Sequence, residues 1–151
     1  MRPFVLKATG VCGLVLAAGA LAAGWTLGRE CTQLEPSAGT ITIPLGQLAA
    51  DTAKIFCYRD RAGANLRFVL AREANGTVHT VFDACHQCYK FHQGFEASRG
   101  YVTCRYCGNE YKLNEITVGK ASCVPVKLRS QLKDGAVSVD VTDLEAGRWL
   151  F

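Results

Sequence analysis

Beyond residue 40, apolar and polar side chains alternate in short runs with a period of two, which belongs to β-strands and not to helices. Residues 40–44 (Thr-Ile-Thr-Ile-Pro) alternate cleanly and predict a strand. Residues 45–53 predict a loop or short turn, and residues 54–59 a second short strand. Two β-rich runs, 66–71 and 77–83, flank Asn75-Gly76, a dipeptide suited to a hairpin whose loop exceeds two residues. Tyr101-Val102-Thr103 predicts a short strand, and residues 109–116 a return strand. Residues 124–132 and 136–141 predict a closing hairpin around Asp134-Gly135. Residues 142–146 suit one helical turn, with Thr142 as cap and Glu145 three positions on. The sum is a small, mainly β module.

One stretch breaks this pattern. Residues 8–28 carry no charge. As a helix they would extend roughly 32 Å, enough to cross a bilayer's hydrocarbon core. Arg2 and Lys7 precede the stretch, and basic flanks stay in the cytoplasm, which puts everything after Arg29 outside. Trp25 suits the interface, and Gly24-Trp25-Thr26-Leu27-Gly28 is a small-xxx-small pattern able to pack two helices. A cleaved signal peptide is the rival reading, with small-residue sites such as Ala20-Leu21-Ala22. The expected organisation is an anchor or signal at 1–28, a polar tether at 29–39 with Pro36, Ser37 and Gly39, and a β domain at 40–151.

Composition narrows the function. The chain has 151 residues, the length of one domain. Arg2 and Lys7 are two of its 17 basic residues, and all 13 acidic residues follow Gly28, so the part beyond the apolar stretch carries only +2. No basic block or aromatic ladder points to nucleic acid. A domain outside the cytoplasm meets oxidising conditions, where cysteines are paired or metallated.

Cysteine spacing supplies the chemistry. There are 8 cysteines, and four form Cys85-x2-Cys88 and Cys104-x2-Cys107. Two such knuckles at this separation match a four-thiolate metal cage, whose softness and geometry select zinc, a single iron or an iron–sulfur cluster. Two disulfides, or two separate redox dithiols, are the competing readings. Neither knuckle is Cys-x-x-Cys-His, which argues against covalent haem. In Cys104-Arg105-Tyr106-Cys107-Gly108-Asn109 the glycine tolerates a positive φ, which turns backbone N–H groups toward the sulfurs. The expected ligands are therefore Cys85, Cys88, Cys104 and Cys107. Cys123 is a candidate fifth ligand, a neighbour of the cage or a disulfide partner for Cys57. Cys31 is a free thiol or joins two chains, and Cys12 is a small buried thiol in the apolar stretch. His86 and His92 are read as neighbours of the cage, since four thiolates complete a tetrahedron, and His79 as structural. Tyr89, Phe91, Phe95, Tyr101, Tyr106 and Tyr111 surround the knuckles and are expected to wall them from water.

The order of elements resembles a Rieske-type ferredoxin domain, with each ligand loop at a strand tip, as in rubredoxin-like folds. Rieske loops pair cysteine with histidine, whereas here Cys88 and Cys107 take the second positions. The departure implies all-thiolate ligation and a lower potential. Phe82-Asp83-Ala84-Cys85-His86-Gln87-Cys88, Val102-Thr103-Cys104-Arg105-Tyr106-Cys107-Gly108, Gly119-Lys120-Ala121-Ser122-Cys123-Val124-Pro125-Val126 and the tail at 137–151 carry a closer similarity. Together, over residues 40–151, they resemble the bacterial FtrD-like membrane iron–sulfur family. The resemblance implies an iron–sulfur protein of the bacterial inner membrane linked to iron uptake. Many members have several membrane helices and this chain has one candidate, so the implied role is electron transfer or accessory. The expectation is a single-pass protein with its domain on the periplasmic face, working with a redox partner or iron-transport components. A structural zinc ribbon is the alternative. A thiol–disulfide oxidoreductase is another, although it requires a helix after the reactive pair.

Overall fold

The computed structural model describes residues 30–119 and 123–151. The predicted anchor at residues 8–28, and Cys12 within it, lie outside the described residues. Among the described residues no helix is long and apolar enough to cross a membrane.

In chain order the strands are β1 (Thr32–Gln33), β2 (Thr40–Pro44), β3 (Thr52–Arg59), β4 (Asn65–Arg72), β5 (Val78–Cys85), β6 (Phe95–Ala97), β7 (Tyr101–Cys104), β8 (Glu110–Lys112), β9 (Pro125–Lys127), β10 (Gln131–Lys133) and β11 (Ala136–Asp140). Among the described residues one α-helix, α1 (Val141–Ala146), follows. A five-stranded sheet ordered β1-β3-β4-β5-β9 lies between two three-stranded sheets, β10-β11-β2 and β6-β7-β8.

Alternation explains the layering. On β4, Leu66, Phe68 and Leu70 enter one apolar core, while Val69 and Ala71 enter the other. A strand buried on both faces belongs at the centre of a stack. The first core joins β3–β5 to Ile41, Ile43, Val137, Val139 and Leu144 of β2, β11 and α1. The second joins them to Phe95, Val102 and Tyr111 of β6–β8, and includes Cys85, Cys104 and Cys123. The thiols are therefore part of a core wall.

The mainly β expectation holds, with four local differences. The predicted strand at 124–132 is split. β9 pairs with β5 in the central sheet, Leu128 is buried, and β10 then pairs with β11 in the outer sheet. The bend between them is tied by Leu128 N–H to Thr80 O at 3.1 Å and by the Thr80–Ser130 hydroxyl pair at 2.5 Å. The return strand at 109–116 stops at Lys112, because a 3-10 turn, Leu113–Glu115, buries Leu113 and is followed by buried Ile116. Thr142 lies inside α1 and does not cap it. The cap residue is Asp140, whose carboxylate instead accepts a bond from Thr40 Oγ1 at 3.1 Å.

The fourth difference concerns the tether. β1 runs parallel to β3, and Cys31 is disulfide-bonded to Cys57 on β3. This corrects the readings of Cys31 as a free or interchain thiol and of Cys57 as a partner for Cys123. Register places Thr32 opposite Phe56 and Gln33 opposite Cys57, which brings Cys31 alongside the strand.

Candidate metal centre

Three chain segments deliver five thiols to one place. Cys85 is the last residue of β5 and Cys104 the last of β7, so each knuckle begins where a strand ends. In the first knuckle the Cys88 N–H donates to Cys85 Sγ at 3.2 Å, and the chain turns through a 3-10 segment, Tyr89–Phe91, into His92 at φ +51°. In the second knuckle Gly108 adopts φ +72°, as its position after Cys107 predicts, and its N–H donates to Cys104 O at 2.9 Å. The backbone N–H groups of Tyr106 and Cys107 face the Cys104 sulfur, and that of Asn109 faces Cys107.

The third segment carries Cys123. Pro125 of β9 stands opposite Cys85 in the central sheet. The His86 N–H donates to Val124 O at 3.0 Å, and the buried Tyr111 hydroxyl donates to Cys123 O at 2.8 Å. Each knuckle therefore holds the Cys123–Val124 backbone, one through His86 to Val124 and one through Tyr111, on the strand that returns from Cys107, to Cys123.

The knuckles are also tied to each other. Arg105 N–H donates to Gly94 O and Arg105 Nε to Phe95 O, both at 3.0 Å. Phe95 pairs with Cys104 across β6 and β7. The Phe95 N–H donates to Asp83 Oδ1 at 2.5 Å, and Asp83 Oδ2 accepts from Arg67 Nε at 2.8 Å. Asp83 lies on β5 two residues before Cys85, so a buried carboxylate links the strand of one knuckle to the sheet of the other.

The sulfurs of Cys85, Cys88, Cys104 and Cys123 all lie within 4.8 Å of one another. Cys123 Sγ is 2.9 Å from Cys85 Sγ, 4.0 Å from Cys88 Sγ and 3.4 Å from Cys107 Sγ. Cys85, Cys104 and Cys123 are buried, Cys88 is half-buried and Cys107 is exposed. All four knuckle cysteines named from spacing are thus gathered, and Cys123 sits among them. Knuckle spacing gives no account of Cys123. The signal for it was its own segment, ending in Cys123-Val124-Pro125.

The electrostatics are those of crowded thiols. Burial pushes Cys88 and Cys123 far above the ordinary thiol range, and hydrogen bonding to Cys85 adds to this. Burial also raises Cys104, against the pull of the Cys107 and Tyr106 N–H groups. Cys107 moves the other way. Despite desolvation, the Asn109 N–H and the thiols of Cys123, Cys104 and Cys88 hold it below the ordinary value. Thiolates packed this closely repel one another and need a cation to coexist.

Of the histidines, His92 lines the small cavity beside Cys85, Cys88 and Cys104. His86 and His92 are exposed, and His79 pairs with Glu73 at 2.5 Å across the base of the β4–β5 loop. The aromatic wall forms in part. Phe95 and Tyr111 are buried edge to face in the core beneath the thiols. Phe91 and Tyr106, one beside each knuckle, are exposed and stacked at 3.7 Å between ring centroids. Tyr101 is exposed and lines a separate hollow with Asp51 and Lys112. Residues missed from the sequence complete the enclosure. Leu150 and Phe151 line a cavity of about 10 Å³ with Cys85, Cys88 and Cys104, and Trp149 packs edge-on against Tyr89.

Residues 48–151, more than half of the chain, match the family described as membrane iron–sulfur containing protein FtrD-like. No curated protein and no solved structure matches the chain.

Proposed function

The chain belongs to the FtrD-like family of membrane iron–sulfur containing proteins, and on that premise we propose that it is a membrane-anchored carrier of electrons through a thiolate-ligated iron centre. The observation that carries this reading is the convergence of five thiols from three separate segments, four of them in one wall of the core and Cys107 at its exposed edge. A soft, all-sulfur donor set fits iron and excludes the hard cations that prefer oxygen. The expected ligands Cys85, Cys88, Cys104 and Cys107 belong to this reading, with Cys123 joined to them. Iron bound there supplies a one-electron couple. The protein supplies the low-dielectric wall and the N–H groups aimed at sulfur, which tune such a couple. Presentation of ligands on turns at strand ends supports a Rieske- or rubredoxin-like organisation of the centre.

Residues 8–28 are proposed as a single inner-membrane span with the domain on the periplasmic side. The Cys31–Cys57 disulfide supports an oxidising compartment. The partners proposed are a redox protein and components of iron uptake. The same four-sulfur spacing suits a structural zinc, which is the second reading. A thiol–disulfide oxidoreductase gains no support, because Cys88 is followed by one 3-10 turn and lacks the helix dipole that activates such a thiol. The test is a visible spectrum of protein purified anaerobically from iron-replete cells. Iron with charge-transfer absorption that dithionite bleaches is expected. Stoichiometric zinc without colour would overturn the electron-transfer reading.

A further inference from the structure

We propose that the exposed aromatic face across the two cysteine knuckles is the docking surface for an electron-transfer protein whose own contact face is apolar at its centre and acidic at its rim. The proposal rests on the electron-carrier reading above and gives the partner in that reading a place and a chemistry. Docking there lets one electron pass with no atom transferred: the iron centre loses it as the partner's redox group gains it, or the reverse.

Apolar exposure carries the first half. Six large apolar side chains are exposed among the described residues, and three of them, Phe91, Tyr106 and Trp149, stand beside the thiols. The Phe91 and Tyr106 rings lie 7° from parallel, so each covers one face of the other and leaves the rest of itself to solvent. Trp149 is edge-on to Tyr89, which opens the same 3-10 turn that Phe91 closes. Tyr89 and Tyr106 also line the small cavity with Cys88 and Cys104. The stack joins the two knuckles, so a partner that covers it touches both ligand loops at once. Aromatic side chains form the centres of protein interfaces, and short-lived electron-transfer contacts need only a small patch.

Charge carries the second half. Between Cys85 and Phe95 the charged side chain is Lys90, between Cys104 and Asn109 it is Arg105, and neither loop holds an acid. Lys90 is exposed, with Nζ 5.5 Å from the centre of the Phe91 ring. Arg105 Nη1 stands 3.7 Å from exposed Glu96, a surface pair of little strength. The rim of the patch is therefore basic, and a complementary acidic rim steers and selects the protein that binds.

Aromatic and basic side chains also suit a lipid surface. Position favours a protein. The chain enters at β1, on one edge of the central sheet, where Glu30 and Cys31 border a hollow with Lys54 and Ile55. Cys85 lies three strands away, at the end of β5 that lines up with the far end of β3. A span joined at Glu30 thus holds the opposite corner of the domain to the bilayer.

The test uses the full-length protein, purified anaerobically into lipid nanodiscs and reduced with dithionite that is then removed. Reoxidation is timed with two one-electron oxidants, anionic ferricyanide and cationic hexaammineruthenium(III). Lys90→Glu with Gln93→Glu lowers the charge of the face by about three, the lysine accounting for two and the glutamine for one. At ~10 Å and about 0.1 M salt, such a change alters the rate with a trivalent ion roughly tenfold. The double variant is expected to slow ferricyanide by that factor and to speed hexaammineruthenium(III). The matched change on exposed β10, Gln131→Glu with Lys133→Glu, is expected to move neither rate. Equal behaviour of the two variants would overturn the docking face, while a coloured, reducible centre would keep the carrier reading. A protein with nothing for dithionite to reduce would overturn the carrier reading, and the docking face with it. Hydroxyl-radical footprinting then separates the occupants. A Glu–Tyr copolymer, standing in for the acidic and apolar partner, is expected to protect Phe91 and Tyr106 where a Lys–Tyr copolymer does not. Equal protection by both would overturn the acidic rim. Protection by nanodisc lipid, relative to detergent, would assign the face to the membrane and overturn the protein partner.

Discussion

Asp83 divides its two carboxylate oxygens between the Arg67 side chain and the Phe95 N–H, and it is buried where it does so. Removing one member of a buried pair leaves the desolvation cost of the other uncompensated, typically about 3–5 kcal/mol. Asp83→Ala is therefore expected to lower the unfolding free energy by about that amount and to weaken metal binding, since the two knuckles lose their shared link. Denaturant titration and metal competition measure the two effects. The thiols give a pH prediction. Cys88, Cys104 and Cys123 are raised in the folded protein above their reference value of 9.0. The metal-free fold is thus favoured by their neutral forms, with that contribution full below pH 9.0 and lost as pH climbs toward the folded values. Cys107, held low, works in the opposite sense but is one against three. Melting temperature of chelator-stripped protein is expected to fall above pH 9, while metal-loaded protein, its thiolates already ionised, resists that fall. At this scale the sequence was legible where chemistry is local, as at Gly108, whose positive φ follows from its place after Cys107. It was silent on Asp83 and Arg67, because partners 16 residues apart meet only once β4 and β5 pair.

Among elements, the C-terminal segment has a role that its short helix does not suggest. α1 is capped by Gly147, and a Cβ placed there would stand 2.2 Å from the Phe82 ring. The 3-10 turn that follows, Arg148–Leu150, is held by Arg148 Nη2 to Asp60 Oδ2 at 2.7 Å and carries Leu150 to the cavity beside the thiols. Gly147→Ala overpacks this joint, and overpacking costs about 1–3 kcal/mol. A drop of that size in chemical denaturation is expected, with faster loss of metal to a chelator because the tail no longer closes the cavity. Strands were readable from alternation because β2, β4 and β11 each bury one or both faces. The split between β9 and β10 was not readable. Both halves have strand composition, and only the competition of two sheets for one run makes the chain bend at Leu128.

The described residues form a stack of three sheets, with Cys85, Cys104 and Cys123 at the seam between the central sheet and the β6-β7-β8 sheet. That the domain is mainly β and built around two cysteine knuckles was legible from residues 40–151. The stacking order was not, since it depends on which faces meet. Nor was the pairing of Cys31 with Cys57, because residues 30–39 have the polar composition of a connector. The disulfide closes a separation of 26 residues, a span over which cross-links typically add about 2–4 kcal/mol. Cys57→Ala is expected to lose stability in that range and to keep its metal, as read by calorimetry and metal assay. The bond also has a mechanical consequence. In a chain tethered by its N-terminal end, every tug arrives at Glu30. The two-residue β1 at the sheet edge would peel away hydrogen bond by hydrogen bond under such a load. With Cys31 bonded to Cys57, the force passes directly into the eight-residue β3 and loads its ladder to β4 lengthwise, in shear. The thiol seam, two strands further in at the end of β5, is shielded from the pull.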